Sequence, residues 1–262
     1  MRIALTIAGS DSGGGAGIQA DLKTFQRFGV FGTSAITAVT AQNTRGVDSW
    51  DAVSVALVRA QIDAVAEDLF PGAFKSGMLG NAAIASTVAA AIRDHSLQNY
   101  VLDPVMVATS GDVLLEPDAI EVIRLELVPR AALVTPNIHE ATILTGETID
   151  DEDSMAQAAE ILVKDMGARA ALIKGGHLDS GDRVVDVLYD GDIRTFRGQR
   201  LETTNTHGTG CTLSAAITAQ LANGESLHAA VRRAIDYVHN AIATAPGLGS
   251  GHGPLNHLAA DK

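Results

Sequence analysis

The sequence predicts an α/β fold in which helices cover both faces of a mostly parallel sheet. Short apolar runs typical of buried strands alternate with stretches in which apolar residues recur every three or four positions. Hydrophobic residues make up 46% of the chain and charged residues 19%, which is ample for a buried core. No linker, repeat or low-complexity segment divides the sequence, so we expect a single domain over residues 1–262.

The first half of the chain alternates predicted strands with predicted helices. The strands are predicted over residues 3–8, 34–40, 74–78 and 100–102. Between them, apolar residues mark one face of each predicted helix. These faces consist of Ile18, Leu22 and Phe25, of Val55, Val58, Ile62, Val65 and Leu69, and of Ile84, Val88 and Ile92. This order is the one expected of a parallel sheet with crossover helices.

The second half continues the same alternation. Strands are predicted over residues 132–134 and 170–173, and the helix before the second strand ends at Gly167, a residue type common just past a helix. The helices are marked by Ile120, Ile123 and Leu127, by Met155, Ala158, Leu162 and Met166, by Leu213, Ile217 and Leu221, and by Leu227, Val231, Ala234, Val238 and Ile242. Two consecutive helices therefore precede a glycine-rich tail.

One segment departs from this alternation. Residues 184–189 and 193–197 both resemble strands and flank Asp190-Gly191-Asp192. Asp-Gly between two strand-like runs indicates a β-hairpin. We therefore expect a small antiparallel addition at one edge of the sheet.

Charge and cysteine content exclude several classes of partner. The chain carries 31 acidic and 19 basic residues, a net charge of −12, without a run of Lys or Arg. Nucleic acid and anionic membrane surfaces are therefore unexpected partners, because both need a basic face. Cys211 is the single cysteine and cannot form an intrachain disulfide. The apolar run near residue 3 is too short for a membrane span, so we expect a cytoplasmic protein with a small-molecule substrate.

Ligands of an open parallel sheet bind at the carboxyl ends of its strands, so the residues after each predicted strand are candidates for a site. Residues 9–17 follow the first strand, and their glycines permit close approach of the backbone to a ligand. Asp103 follows the strand over residues 100–102, where a carboxylate suits a cation or a nearby phosphate. The alternative for residues 9–17 is a flexible loop without a ligand, and the alternative for Asp103 is an aspartate that only starts a turn at the following proline.

Two later strands also end in polar residues. Asn137 and Glu140 follow one of them with the spacing of a capping box. A cap starts a helix, and it does not exclude a role in holding Mg²⁺ bound to phosphates. Lys174, Gly175 and Gly176 follow the other strand, where a phosphate contact and a plain turn fit equally well.

The strongest local signal is the run Asn-Thr-His-Gly-Thr-Gly-Cys-Thr over residues 205–212, directly before a well-marked helix. Gly208, Thr209 and Gly210 at a helix start leave several backbone N–H groups unpaired, which together with the helix dipole form an anion site. Cys211 then lies in the first turn, where a helix N-terminus lowers the pKa of a thiol. The sequence therefore leaves two interpretations of Cys211, a reactive thiolate and a buried structural cysteine.

Together these stretches resemble the ribokinase-like superfamily, whose shared mark is Gly-x-Gly followed by the catalytic base. Here that mark is Gly208-Thr209-Gly210-Cys211, and a cysteine in place of the more usual aspartate resembles the vitamin-kinase branch. The motif order is similar to that of hydroxymethylpyrimidine kinases. The matching segments are residues 8–21, 37–44, 77–79, the Asp103 and Asn137 motifs, and residues 174–177 and 205–212. The resemblance implies a ribokinase-like three-layer fold.

The resemblance also implies a substrate site. Gln42 would hydrogen-bond an aminopyrimidine, since its side-chain amide offers both a donor and an acceptor. Gly9, Asp21, Met78 and Val105 would wall the same pocket.

The same resemblance implies the machinery of phosphoryl transfer. Backbone N–H groups of Gly208, Thr209 and Gly210 would hold charge on the γ-phosphoryl group. Cys211 would deprotonate, or at least orient, the substrate hydroxymethyl. The implied metal residues are Asp103 and Glu140, and the implied nucleotide residues are Asn137, Glu140, Lys174, Gly175 and Gly176.

The implied activity is ATP-dependent phosphorylation of 4-amino-5-hydroxymethyl-2-methylpyrimidine and then of its monophosphate to the diphosphate, for thiamine biosynthesis. ATP and Mg²⁺ are the implied cofactors, and a homodimer is the implied assembly. A pyridoxal kinase of the same branch and a non-catalytic nucleotide-binding protein are the alternatives. Gln42 favours the aminopyrimidine, and the presence of Asp103, Glu140, Lys174 and Cys211 favours an enzyme.

Overall fold

The chain folds around a central sheet with helices on both faces. The computed structural model describes residues 1–108, 111–176, 178 and 181–260. The strands in these ranges are β1 (Ile3–Ser10), β2 (Phe31–Asn43), β3 (Gly46–Ala52), β4 (Ala73–Ser76), β5 (Tyr100–Leu102), β6 (Leu133–Val134), β7 (Ala171–Lys174), β8 (Arg183–Tyr189) and β9 (Ile193–Gln199). They form one nine-stranded sheet in the order β3-β2-β1-β4-β5-β6-β7-β8-β9.

Strand pairing confirms a mostly parallel sheet with an antiparallel hairpin at one edge. β1 pairs in parallel with β2 and β4, and the parallel order continues through β5 and β6 to β7. β8 and β9 form the predicted hairpin, which pairs antiparallel with β7. Gly191 has a φ of +110° in its turn, a conformation that favours glycine.

The helices are α1 (Gly17–Arg27), α2 (Val55–Asp68), α3 (Ala82–Asp94), α4 (Pro117–Val122), α5 (Ile138–Thr145), α6 (Glu152–Lys164), α7 (Thr209–Ala222) and α8 (Leu227–Ala243). A π-helical turn, Ile123–Leu127, continues α4, so the helix predicted around residue 123 is irregular in its second half. None of the helices in the described ranges has the length and apolar character needed to cross a membrane.

Two hydrophobic cores lie on opposite faces of the sheet, because successive strand residues point to opposite sides. Leu102 and Val134 pack with the core beneath α2 to α6. Their neighbours Val101 and Leu133 pack with the core beneath α7 and α8. α1 packs beside α7 on this second face. The result is the three-layer arrangement that the resemblance implies.

The sequence pattern does not predict β3. This strand pairs antiparallel with β2 alone, and most of its residues are exposed. A strand with one neighbour and no core-facing stripe lacks the apolar alternation that reveals strands in sequence. Its partner β2 extends beyond the predicted end at residue 40 and carries Gln42.

The capping box predicted at the start of α5 is confirmed. Glu140 N donates to Asn137 Oδ1 at 2.9 Å, and Asn137 N donates to Glu140 Oε2 at 2.8 Å. The two bonds satisfy backbone groups at the helix start and fix both side chains at the carboxyl end of β6.

Candidate active site

A cavity of about 580 Å³ lies along the carboxyl ends of the parallel strands. Gln42 and Met78 line one end, and Val238 and Ile242 of α8 line the other. Most of the predicted site residues line the cavity between these ends, namely Gly9, Val105, Asp103, Asn137, Glu140, Lys174, Gly176, Gly208, Thr209, Gly210 and Cys211. Predicted site residues from seven different segments of the sequence, Gln42 and Met78 included, therefore meet on one surface.

The middle of the cavity is built around a half-buried ammonium group. Lys174 Nζ lies 3.2 Å from Asp103 Oδ1 and 3.9 Å from Glu140 Oε2. Ser214 Oγ donates to the other oxygen of Asp103 at 3.1 Å. Burial opposes the charged form of Lys174, but the two carboxylates outweigh burial and raise the pKa of Lys174. The lysine therefore stays charged.

The two carboxylates, Asp103 and Glu140, together carry more negative charge than the single Lys174 ammonium group can balance. Burial raises the pKa of Glu140 to about 7; the charge of Lys174 opposes the rise and that of Asp103 adds to it. Such a site favours an additional cation. Mg²⁺ takes oxygen ligands, commonly one or two carboxylates together with substrate phosphates, so the donor chemistry of Asp103 and Glu140 fits this ion. Within the described ranges, groups of three or more His, Cys, Asp or Glu side chains that could hold a metal ion are absent.

The N-terminus of α7 faces this charged centre. Gly208 caps the helix with a φ of +81°, and no side chain caps it. A Cβ at Gly208 would lie 1.9 Å from the backbone oxygen of Gly15, so only glycine fits there. A Cβ at Gly210 would lie 3.1 Å from Lys174 Nζ. Thr209 N is paired within the turn, donating to Thr206 O at 3.2 Å, so Gly208, Gly210 and Cys211 are the residues of the helix start whose N–H groups suit an anion beside Lys174.

Cys211 lines the cavity in the first turn of α7, as predicted. The expected lowering of its pKa is wrong. Burial raises the pKa of the Cys211 thiol to about 12, with Lys75 and the N–H of Gly17 opposing the rise and Asp21 adding to it. Desolvation is the largest cause, and it outweighs the charge of Lys75 and the N–H of Gly17.

The end of the cavity at β2 forms a narrow, partly polar slot. Thr40 Oγ1 donates to Gln42 Oε1 at 3.3 Å, which restricts the side-chain amide. Opposite, a Cβ at Gly9 would lie 3.0 Å from Met78 Sδ, so glycine keeps the slot open. The space suits a flat ring with hydrogen-bonding edges.

Two predicted site residues do not line the cavity. Asp21 faces the sheet from α1, is 0% exposed and pairs with Lys75 Nζ at 2.7 Å. Gly175 does not line the cavity, and its N–H is already paired, donating to Asp186 Oδ1 at 2.9 Å. Asp21 is therefore corrected from a pocket wall to a member of a buried ion pair. Gly175 is corrected from a nucleotide contact to a residue whose N–H fixes the backbone directly after Lys174. His177, the last residue of the same motif, lies outside the described residues.

Sequence reasoning missed the far end of the cavity. The hairpin contributes Val184, Asp186 and Phe196, while Val238 and Ile242 come from α8. The pattern assigned the hairpin to an edge and the α8 residues to a core face. Asp186 reads as an ordinary strand residue, so only the assembled fold shows that it lines the cavity.

The C-terminal tail braces the cavity instead of only covering the surface. His207 N donates to the oxygen of Gly253 at 3.1 Å, and His252 N donates to the oxygen of Thr44 at 2.7 Å. The ring of His257 lies against α7, with its Nε2 3.2 Å from Thr212 Oγ1. The tail thus fixes the loop before α7 relative to the end of β2.

Three comparisons place this cavity among kinases of small molecules. The model of the phosphomethylpyrimidine kinase family matches residues 11–256. The hydroxymethylpyrimidine/phosphomethylpyrimidine kinase of Bacillus subtilis is 51% identical over 98% of this chain and 94% of its own length. The thiamine biosynthesis bifunctional protein ThiED of Geobacter sulfurreducens is 50% identical over 98% of this chain and 52% of its own length. The structure of Staphylococcus aureus pyridoxal kinase with AMP-PCP and pyridoxal superposes with a TM-score of 0.90 at 36% identity, covering 99% of this chain and 94% of that one.

Proposed function

Because the chain belongs to the phosphomethylpyrimidine kinase family, we propose that it phosphorylates 4-amino-5-hydroxymethyl-2-methylpyrimidine and then the resulting monophosphate. ATP supplies both phosphoryl groups, and the diphosphate is a thiamine precursor. The observation that carries the proposal is the single cavity in which a slot at Gln42 adjoins Cys211, the turn at Gly208 and the half-buried Lys174. An acceptor ring, a hydroxyl and a phosphate chain would lie along it in that order.

The pyrimidine occupies the β2 end of the cavity, where Gly9, Gln42 and Met78 line the wall. Gln42 offers its amide oxygen to the ring amino group and its amide N–H₂ to a ring nitrogen. Val105 closes the apolar side of the slot. This position directs the hydroxymethyl group towards Cys211.

In the first transfer, the substrate oxygen forms a bond to the γ-phosphorus while the bond from that phosphorus to the bridging oxygen of ADP breaks. The hydroxyl proton passes to an oxygen of the transferred phosphoryl group as the new bond forms, and from there to solvent. Because burial raises the pKa of Cys211 to about 12, the thiol orients this hydroxyl and does not remove its proton beforehand. The transition state of such transfers is loose, so a late proton departure is sufficient. Lys174 and the N–H groups of Gly208, Gly210 and Cys211 stabilise charge on the phosphoryl oxygens.

Asp103 and Glu140 would hold Mg²⁺ together with the nucleotide phosphates, and Asn137 would act through water. The bound ion would neutralise charge on the phosphates and keep them aligned. The raised pKa of Glu140 supports this assignment, because a second cation would relieve the buried negative charge.

The adenine base occupies the far end of the cavity. Phe196 and Val184 from the hairpin face Val238 and Ile242 from α8 across this end. Apolar side chains of this kind suit the two faces of a purine, and a polar group can form a hydrogen bond to the edge of the base. Asp186 is one of the polar residues that line the cavity here, together with Gln199 and His239.

Pyridoxal is a second candidate substrate, favoured by one observation. The structure of the pyridoxal kinase with AMP-PCP and pyridoxal shares the fold at a TM-score of 0.90. Pyridoxal also presents a hydroxymethyl group on a six-membered ring. It lacks the amino group that Gln42 would recognise, so we place the aminopyrimidine first.

Three further properties belong to the same proposal. We propose a single domain over residues 1–262, because β1 to β9 share one sheet. A homodimer and a cytoplasmic location are proposed from the resemblance and the composition. Light scattering of the purified protein and fractionation of cells test these two properties.

The substrate assignment is tested by measuring kcat/KM for the aminopyrimidine and for pyridoxal with Mg·ATP under identical conditions. We expect the aminopyrimidine to be preferred, and we expect Gln42→Leu to raise its KM while leaving the KM of ATP unchanged. A preference for pyridoxal would make the second candidate correct. No turnover of either compound would favour a non-catalytic nucleotide-binding protein.

A further inference from the structure

A fully buried ion pair lies beneath the substrate end of the cavity. Lys75 on β4 and Asp21 on α1 are both 0% exposed, and Lys75 Nζ lies 2.7 Å from Asp21 Oδ1. Thr6 Oγ1 donates to the other oxygen of Asp21 at 2.6 Å. Lysine is almost never fully buried unless it is paired, and burying such a pair rarely adds net stability. A buried pair of this kind therefore calls for an explanation other than stability.

The ammonium group lies just under the cavity floor. Gly77 lines the cavity two residues after Lys75, and a Cβ at Gly77 would lie 3.9 Å from Lys75 Nζ. The absence of a side chain at Gly77 leaves little between the charge and the cavity. Cys211 lines the same cavity as Gly77, and its thiol and the Lys75 ammonium group interact electrostatically.

Four charged groups act on the Cys211 thiol from the elements around it. Lys75 on β4 and Lys174 on β7 are positive, whereas Asp21 on α1 and Asp103 after β5 are negative. Among these charges Lys75 favours the thiolate most strongly, and a thiolate in turn favours the charged form of Lys75. Screening by water is weak on the side of the lysine, because Lys75 is fully buried.

We propose that Lys75 is a positioning residue whose fixed positive charge, held in place by Asp21, favours the negative charge that develops on the substrate oxygen beside the Cys211 thiol as the hydroxyl proton leaves during phosphoryl transfer. The proposal rests on the proposed function for the identity of the acceptor. It assigns no contact with substrate to Lys75. The lysine acts on the reaction through its electrostatic field at the cavity floor, which the Cys211 thiol also experiences.

The test compares two variants. One removes both charges of the pair, and the other removes only the negative charge, so the two should shift the potential at Cys211 in opposite directions. Lys75→Met together with Asp21→Asn removes both charges at nearly constant volume, so the fold should persist. Asp21→Asn alone removes the negative member and leaves Lys75, which Asp103 and Cys211 still favour in its charged form. The readouts are kcat, both KM values, the melting temperature, and the rate of Cys211 alkylation by iodoacetamide at about pH 8, near the pKa of a free thiol.

The double variant is expected to alkylate roughly tenfold more slowly and to lose at least about tenfold in kcat with KM nearly unchanged, an effect of about one pKa unit. Asp21→Asn is expected to alkylate faster than the wild type. If both variants alkylate at the wild-type rate, or both change in the same direction, the pair is structural and the proposal is overturned. Alkylation needs no substrate, so failure of the proposed acceptor would show separately as a lack of turnover in the wild type.

Discussion

Lys174 Nζ lies 3.2 Å from Asp103 Oδ1, and this contact joins the carboxyl ends of β5 and β7 beneath the turn at Gly210. The ammonium group thus faces both the carboxylates and the proposed position of the phosphates. One half-buried charge serves two purposes here. It keeps the acidic residues ordered, and it favours an anion above them.

Replacing this lysine tests the electrostatic part of the site. Lys174→Met should lower kcat by about 100-fold, in the range found when one preorganised stabilising group is removed. Single-turnover kinetics with Mg·ATP would measure the loss. Lys164→Met is the matched control, because Lys164 forms an exposed ion pair with Glu160 and should keep full activity. A Lys174→Met enzyme with normal kcat would contradict the role.

Cys211 is proposed to orient the hydroxyl of the acceptor. Cys211→Ala should lower kcat by about 100-fold, the lower end of the effect of a positioned acid–base group, while the KM of ATP changes little. Steady-state assays with each substrate varied in turn separate the two parameters. Near-normal turnover of Cys211→Ala would remove the thiol from the mechanism.

The turn at Gly208 tolerates only glycine. Gly208→Ala adds strain at a φ of +81° and a Cβ 1.9 Å from the oxygen of Gly15, so both loops must shift and activity should fall at least about 100-fold. Gly146→Ala imposes nearly the same strain, at a φ of +80°, in open space. This control should lose stability but keep its kcat. Equal activity of the two variants would show that the close approach of Gly15 is unimportant.

The tail residue His257 should make stability depend on pH. Burial lowers the pKa of His257 to about 4, so the unfolded chain takes up a proton on this residue before the folded chain does. Stability is therefore fully present above about pH 6.5 and is lost as the pH falls towards 4. Between about pH 7 and 5 the wild type should lose about 1–2 kcal/mol more than His257→Gln.

Urea denaturation at both pH values measures this difference. His252→Gln is the control from the same tail, because its side chain is exposed. It should change with pH as the wild type does. A parallel loss in the wild type and in His257→Gln would show that the ring of His257 is not kept neutral by burial.

The far end of the cavity is proposed to hold adenine. Ile242→Trp should fill this space and raise the KM of ATP by about tenfold or more, as overpacking disfavours a bound ring, while the KM of the pyrimidine stays unchanged. Initial rates with each substrate varied give both constants. Ile193→Trp, in the exposed hairpin turn, should change neither. An unchanged KM of ATP in Ile242→Trp would place the base elsewhere.

The elements that sequence patterns predict are those with a strong local cause. Asn137 and Glu140 reveal the start of α5 because the cap is local, and Gly191 reveals the hairpin because its turn needs a positive φ. β3 has no core face and leaves no apolar alternation to read. Local signals also identify the motifs at the strand ends, since all parallel strands end at one edge.

Contacts between distant segments are invisible to such patterns. Asp21 pairs with Lys75 across 54 positions, so its burial could not be read from α1 alone. The pKa of Cys211 depends on desolvation by the assembled layers, which outweighs the charge of Lys75 and the N–H of Gly17. Asp186 lines the cavity because the hairpin folds beside α8. These properties arise only when the three layers pack.

The most direct test of the account follows the products of the purified protein with Mg·ATP and the hydroxymethyl aminopyrimidine by mass over time. We predict that the monophosphate appears first and is then converted to the diphosphate, with one ATP consumed for each phosphate added. Monophosphate that accumulates without conversion would contradict the second transfer. The absence of any phosphorylated pyrimidine would contradict the central claim.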